Sequence, residues 1–201
     1  MSNPAQLSWE DSSPHANRPE YNSKGLRLFM ESLGEEGKGQ ILDVGPICGD
    51  NIDFFARRVK RLCVCDMFFH LVKGAGSGAP SDQVWQHLDY PPESFEGILL
   101  WDLIDRLEDH DAEEVVKRCY SMAKPGGVVM ILAHGQQTSP KVVNSFVIID
   151  DFRLYSRPQL HLELPLYMRQ NREVMEMLAP FTPITSFIYR NGTREFLFRR
   201  F

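Results

Sequence analysis

The stretch Gln40-Ile41-Leu42-Asp43-Val44-Gly45-Pro46-Ile47-Cys48-Gly49-Asp50-Asn51 decides how the chain is read. Its first half is a short apolar run closed by glycine, the pattern of a strand buried on both faces. Its second half is a turn with two glycines, which tolerate tight backbone and close approach of a ligand. Asp50 or Asn51 is expected to cap a helix whose Ile52, Phe55, Ala56 and Val59 form one apolar stripe. A buried strand, a glycine turn and an amphipathic helix in succession are the unit from which parallel α/β sheets are built.

Outward from this stretch the unit repeats. Leu62-Cys63-Val64-Cys65 is a second buried strand ending at Asp66, and a third, weaker one is expected over residues 84–88, before Asp89 and Tyr90. Gly97-Ile98-Leu99-Leu100-Trp101 is a fourth, ending at Asp102, and residues 128–133 form a fifth. Asp111 with Glu114 resembles a capping box for the helix between the last two, and Lys124-Pro125-Gly126-Gly127 is expected to end that helix. Upstream, residues 21–33 carry Leu26, Phe29, Met30 and Leu33 at helical spacing. Downstream, residues 146–155 read as a hairpin about Asp150-Asp151, Asn171 as a helix cap, and residues 184–190 and 194–199 as a hairpin about Asn191-Gly192. Strand–helix alternation with buried strands implies parallel pairing and right-handed crossovers. The expected organisation is a polar leader over residues 1–20 and one domain over 21–201, with residues 135–168 as an insertion on the substrate or interface side.

Composition narrows the function classes. A net charge of −5 argues against a protein that binds nucleic acid through a general basic surface. The longest apolar runs fall far short of the roughly 20 residues of a membrane-spanning helix. The four cysteines lie in core elements of a chain with no secretory signal at its start, so they are expected to be reduced, in a soluble cytoplasmic protein. Cys63 and Cys65 have no second ligand pair nearby, and no metal is expected. Gly74-Ala75-Gly76-Ser77-Gly78 lacks the strand and the Lys-Ser/Thr of a phosphate loop and reads as a flexible connector.

Ligands of open α/β sheets bind beyond the carboxyl ends of the strands. Gly45, Asp66, Asp89 and Asp102 all follow strands, so they converge on one rim. Asp66 stands about 20 residues after Gly45, the spacing at which a carboxylate accepts hydrogen bonds from ribose hydroxyls. Four such positions in register favour a nucleoside-like ligand.

In these motifs the chain resembles the class I S-adenosylmethionine-dependent methyltransferases. The stretch 41–49 stands where that family has its acidic, glycine-rich loop; Asp66 matches its ribose acid and Asp89 the acid near the adenine amine. Residues 95–102 look like its fourth strand, 124–127 like the turn before its fifth, and the Asn191-Gly192 hairpin like its last two strands. The resemblance implies a Rossmann-like three-layer sandwich, a mostly parallel seven-stranded sheet with a C-terminal antiparallel hairpin. It implies S-adenosyl-L-methionine as cofactor, held by Asp43, Gly45, Pro46, Gly49, Asp66, Met67, Asp89, Tyr90, Trp101 and Asp102. The family's middle glycine is Ile47 here. Pointing into the cleft it would crowd the methionine part of the cofactor; pointing into the core it would leave binding intact. The expected acceptor is a small molecule, and a homodimer is admitted. Acceptor selectivity is expected from residues 21–33 and 135–168, with Tyr155, Arg157 and Tyr167 available. Asp102, Asp105 and His134 are at the rim, but no catalytic base is assigned, because methyl transfer from a sulfonium needs one only when the acceptor must lose a proton. The alternatives are a non-catalytic protein of the same fold, with a ligand-sensing or interaction role, and an NAD(P)-dependent oxidoreductase; the latter predicts a Gly-x-Gly-x-x-Gly loop that is absent.

Overall fold

The computed structural model describes residues 20–34, 39–77, 84–133 and 141–201. The expected leader (all but Glu20) and His134 lie outside these. Among the described residues the main sheet has six strands: β2 (Gln40–Asp43), β3 (Arg61–Val64), β4 (Phe95–Trp101), β5 (Ala123–Ala133), β8 (Thr182–Ile188) and β9 (Arg194–Arg199). Their order is β3-β2-β4-β5-β9-β8. The first four run parallel, and β9 lies antiparallel between β5 and β8. A second sheet, β1-β7-β6, is antiparallel and is made of β1 (Tyr21–Asn22), β6 (Val142–Ile148) and β7 (Arg153–Glu163).

Strand β4 shows why the layers form. Ile98 and Leu100 join one apolar cluster and Leu99 and Trp101 another, so alternate side chains feed the two faces of the sheet. The first face receives Met67 and Phe68 of α3 (Met67–Ser77), Val115 and Cys119 of α4 (Asp109–Met122) and Val174 of α5 (Asn171–Met177). The second receives Leu26 and Phe29 of α1 (Lys24–Ser32) and Phe54 and Phe55 of α2 (Gly49–Ala56). The layers are the expected ones, but the expected mostly parallel seven-stranded sheet is not found: among the described residues the main sheet has six strands, four of them consecutive and parallel, beside a separate three-stranded sheet. Residues 84–88 do not form a strand: Gln86–Leu88 is a 3₁₀ turn. Buried Val84, Trp85 and Leu88 stand at i, i+1 and i+4, which is helical spacing rather than alternation.

Other local expectations shift for identifiable reasons. The glycine-rich connector is the last part of α3 up to Ser77; a Cβ on Gly74 would lie 2.7 Å from Val84 Cγ2, so glycine allows close packing there. Helix α1 starts after β1, capped by Ser23, whose Oγ accepts from Leu26 N at 2.9 Å. Helix α2 starts at Gly49, so Asn51 falls inside its first turn instead of capping it. Helix α4 begins at Asp109, two residues before Asp111. The capping box of α5 is built by Gln170 and Glu173, not by Asn171. Lys124-Pro125-Gly126-Gly127 lies within β5, where the register to β4 shifts and Gly126 takes φ +80°. The two expected hairpins form, and Gly192 at φ +83° makes the second turn.

The second sheet packs against one end of the main sheet. It sits over the start of α2 and the loop before it: Asn51 Nδ2 donates to Phe146 O at 2.9 Å, and Ile148 N donates to Asn51 Oδ1 at 2.8 Å. Val147 and Tyr155 pack on Cys48 in the same loop. Among the described residues, no helix is long and apolar enough to cross a membrane.

Candidate active site

The parallel strands aim their carboxyl ends at one rim, and there Asp43, Gly45 and Trp101 form a packed unit. Gly45 N donates to Asp43 Oδ1 at 2.9 Å, and Trp101 Nε1 donates to the same oxygen at 2.6 Å. Trp101 adopts φ +48°, a left-handed conformation that is an outlier for a bulky residue. Its indole lies against Gly45 so closely that an added Cβ would sit 2.4 Å from Cδ1. The indole also stacks on Phe146 of the second sheet, ring centroids 5.9 Å apart. Burial pushes the Asp43 carboxyl up to about 6, against the lowering effect of its bonds from Trp101 and Gly45.

Beyond this wall the loop opens outward. Pro46 is buried, whereas Ile47 is 64% exposed, pointing into neither the core nor the sheet, and Gly49 is exposed. The Ile47 amide donates to Asp66 Oδ2 at 3.0 Å and the Phe69 amide to Asp66 Oδ1 at 2.9 Å. Asp66 therefore ties the loop to the first turn of α3 and stays partly exposed. Asp89 is exposed and Tyr90 is half-buried, edge-on to Phe95. Two contacts bring the segments bearing Asp66 and Asp89 together. Cys65 Sγ donates to His87 O at 3.2 Å, and the His70 and His87 rings stack at 3.6 Å. Burial and the neighbouring His87 lower the pKa of His70.

The ten residues singled out from sequence thus divide. Gly49, Asp66, Asp89 and Tyr90 line the open rim; Asp43, Gly45, Pro46 and Trp101 form the wall behind it. Met67 is fully buried in the core. Asp102 is fully buried as well, its Oδ2 accepting from Arg106 Nε at 3.1 Å. Asp105 is also buried. Of the expected acceptor-side residues, Tyr155 packs on Cys48, and Arg157 reaches Cys48 Sγ at 3.3 Å and Asp50 at 3.6 Å. Tyr167 turns away, its hydroxyl donating to Glu108 at 3.3 Å. Sequence reading missed Arg106, Phe146 and the role of Asn51. Only Arg106 left a signal, its i,i+4 spacing from Asp102.

Residues 15–180 match the family profile described as a methyltransferase domain. No curated protein matches the chain in sequence. Among solved structures the fold is similar to a SAM-dependent methyltransferase from Methanosarcina mazei, at 12% identity and TM-score 0.56, covering 86% of this chain and 96% of that one. An S-adenosylmethionine-dependent methyltransferase from Mesorhizobium loti gives 13% identity, TM-score 0.56, and coverage of 87% and 96%. The 1,6-didemethyltoxoflavin-N1-methyltransferase of Burkholderia thailandensis, solved with 1,6-didemethyltoxoflavin and S-adenosylhomocysteine, gives 16%, 0.52, and coverage of 87% and 75%. With the profile covering most of the sequence and the fold shared with these enzymes, the chain belongs to the class I methyltransferase family, whose methyl donor is S-adenosylmethionine.

Proposed function

We propose that this protein transfers the methyl group of S-adenosylmethionine to a small-molecule acceptor, with the adenosine end on the open rim and the acceptor under the second sheet. The observation that carries the reading is the placement of Asp66 and Asp89 on adjoining segments, Asp66 partly exposed and bonded to the loop, Asp89 exposed. The donor set fits a nucleoside. A carboxylate offers about four lone-pair sites, and backbone amides use two of those on Asp66, which leaves two for a ribose diol. Asp89, reaching the same rim, suits an exocyclic amine.

When bound, the cofactor supplies a sulfonium methyl open to in-line displacement, so positioning and exclusion of water carry the protein's contribution. Trp101, fixed by Asp43 and backed by Phe146, gives the rim a rigid apolar wall. Above about pH 6 the ionised Asp43 behind the wall favours a cationic ligand. The apolar side chains Phe146, Val147 and Tyr155 bring the second sheet over the loop, which supports a small acceptor and a dry site. The acceptor in the Burkholderia enzyme's structure is itself a small molecule.

Calorimetric titration with S-adenosylhomocysteine and S-adenosylmethionine tests the reading. Wild-type protein should bind both. Asp66→Ala should weaken binding by about 10- to 100-fold, the loss expected of hydrogen bonds to a charged acceptor. Asp66→Asn, which can still cap α3, separates this from loss of fold. Folded wild-type protein that binds neither ligand refutes the proposal, and unchanged affinity in Asp66→Ala refutes the ribose assignment.

A further inference from the structure

The second sheet must be held at both ends if it is to cover the rim in one position. At its closed end the hairpin tip is pinned to α1: Ser23 N donates to Phe152 O at 2.8 Å, and Arg27 pairs with Asp151 at 3.4 Å. At its open end the two chains enter and leave beside each other, Val142 paired with Glu163 and Leu164 N donating to Lys141 O at 2.9 Å. The group that meets them there is Arg106, in the 3₁₀ turn Ile104–Arg106 just after β4. Its Nη2 donates to Val142 O at 3.2 Å and its Nη1 to Leu164 O at 3.5 Å, while Nε donates to Asp102 at 3.1 Å. Both side chains of this ion pair are 0% exposed.

A fully buried ion pair is a poor way to gain stability, because desolvation opposes the attraction; such pairs are best attested where they specify one arrangement. Only a planar guanidinium can serve three acceptors in fixed directions; a lysine ammonium cannot hold the same fork. Asp102 directly follows Trp101, whose indole is bonded to Asp43 and packed on Gly45. One continuous set of contacts therefore runs from the base of the second sheet, through Arg106 and Asp102, to the wall of the rim.

We infer that Arg106 is a positioning residue that clips the open end of the second sheet to the end of β4, with Asp102 as its counter-charge rather than a contact of the cofactor. The inference rests on the proposed function for its link to ligand binding, but the clip itself is testable without it. Arg106→Met leaves Asp102 buried without its guanidinium, so the decisive variant is Asp102→Asn with Arg106→Met, which removes both charges together. Arg106→Lys keeps the charge and loses the fork, and serves as a second variant should the double one fail to fold.

Hydrogen–deuterium exchange on the full chain, with and without S-adenosylhomocysteine, reads the clip; calorimetry with the same ligand reads its consequence. In both variants exchange over residues 142–163 should quicken about tenfold while β2 and β4 stay protected, and ligand affinity should fall about tenfold, a typical coupling between sites. Wild-type exchange over residues 142–163 in the variants overturns the clip. Faster exchange with unchanged affinity overturns the positioning role, leaving a purely structural ion pair. Wild-type protein that binds no ligand refutes the proposed function instead, and the exchange result alone then decides the clip.

Discussion

Replacing Asp43 with asparagine should remove the pH dependence that this residue imposes on the fold. The Asp43 carboxyl is 4% exposed and its pKa rises from 3.8 to about 6, burial being the main cause. A carboxyl that is easier to protonate folded than unfolded stabilises the fold fully below the unfolded pKa. That contribution is lost as pH rises through the folded value. The window is therefore about pH 4 to 6, and a shift of this size at about 1.36 kcal/mol per unit is worth on the order of 3 kcal/mol. Asparagine keeps an oxygen for Trp101 Nε1 and Gly45 N but never ionises. Urea denaturation of both proteins between pH 4 and 7.5, followed by circular dichroism, gives the difference in unfolding free energy at each pH. Subtracting one protein from the other removes the contributions of carboxylates they share. The wild type should lose ground to Asp43→Asn by up to about 3 kcal/mol as pH rises from 4 to 6, then run parallel to it. A flat difference across that window, or one in which the wild type gains with pH, would refute the assignment of a raised pKa to Asp43. It would also refute the claim that its charge is held behind the loop at a cost.

Two further substitutions probe how the rim is supported. Gly97→Ala places a Cβ 2.5 Å from Phe29 Cζ and 2.7 Å from Leu33 Cδ2, so overpacking should cost about 1–3 kcal/mol in denaturant unfolding; an unchanged midpoint would mean that α1 does not press on β4. Asn51→Ala removes both side-chain bonds to the β6 backbone and leaves those groups buried, for a loss of roughly 2–4 kcal/mol. Exchange at the Ile148 amide should quicken with it, and protection equal to wild type would show that β6 is held without Asn51.

Local sequence carried a great deal. The apolar run into Gly45 is a buried strand, Asn191-Gly192 is a hairpin turn, and Asp66 and Asp89 stand at the ends of their segments on the rim. Each follows from short-range chemistry: two-sided burial selects continuous apolar runs, glycine alone turns freely through positive φ, and polar residues mark where strands leave the core. Where one segment's conformation depends on a distant neighbour, the sequence misleads. Gly74 reads as flexible until Val84 packs on it, and residues 84–88 resemble a strand until Trp85 and Leu88 turn to the same core. Asp102 shows the limit most clearly. From sequence it is one more acid at a strand end, equivalent to Asp66; in the fold it is buried and paired with Arg106, which also bonds the returning chain at Val142 and Leu164. Strand ends and turns are settled within a few residues, whereas accessibility and partnership depend on which surfaces meet over long separations. The rim and its open acids were therefore legible in the sequence itself, while the wall of Trp101, the second sheet and its clip came into being only with tertiary packing.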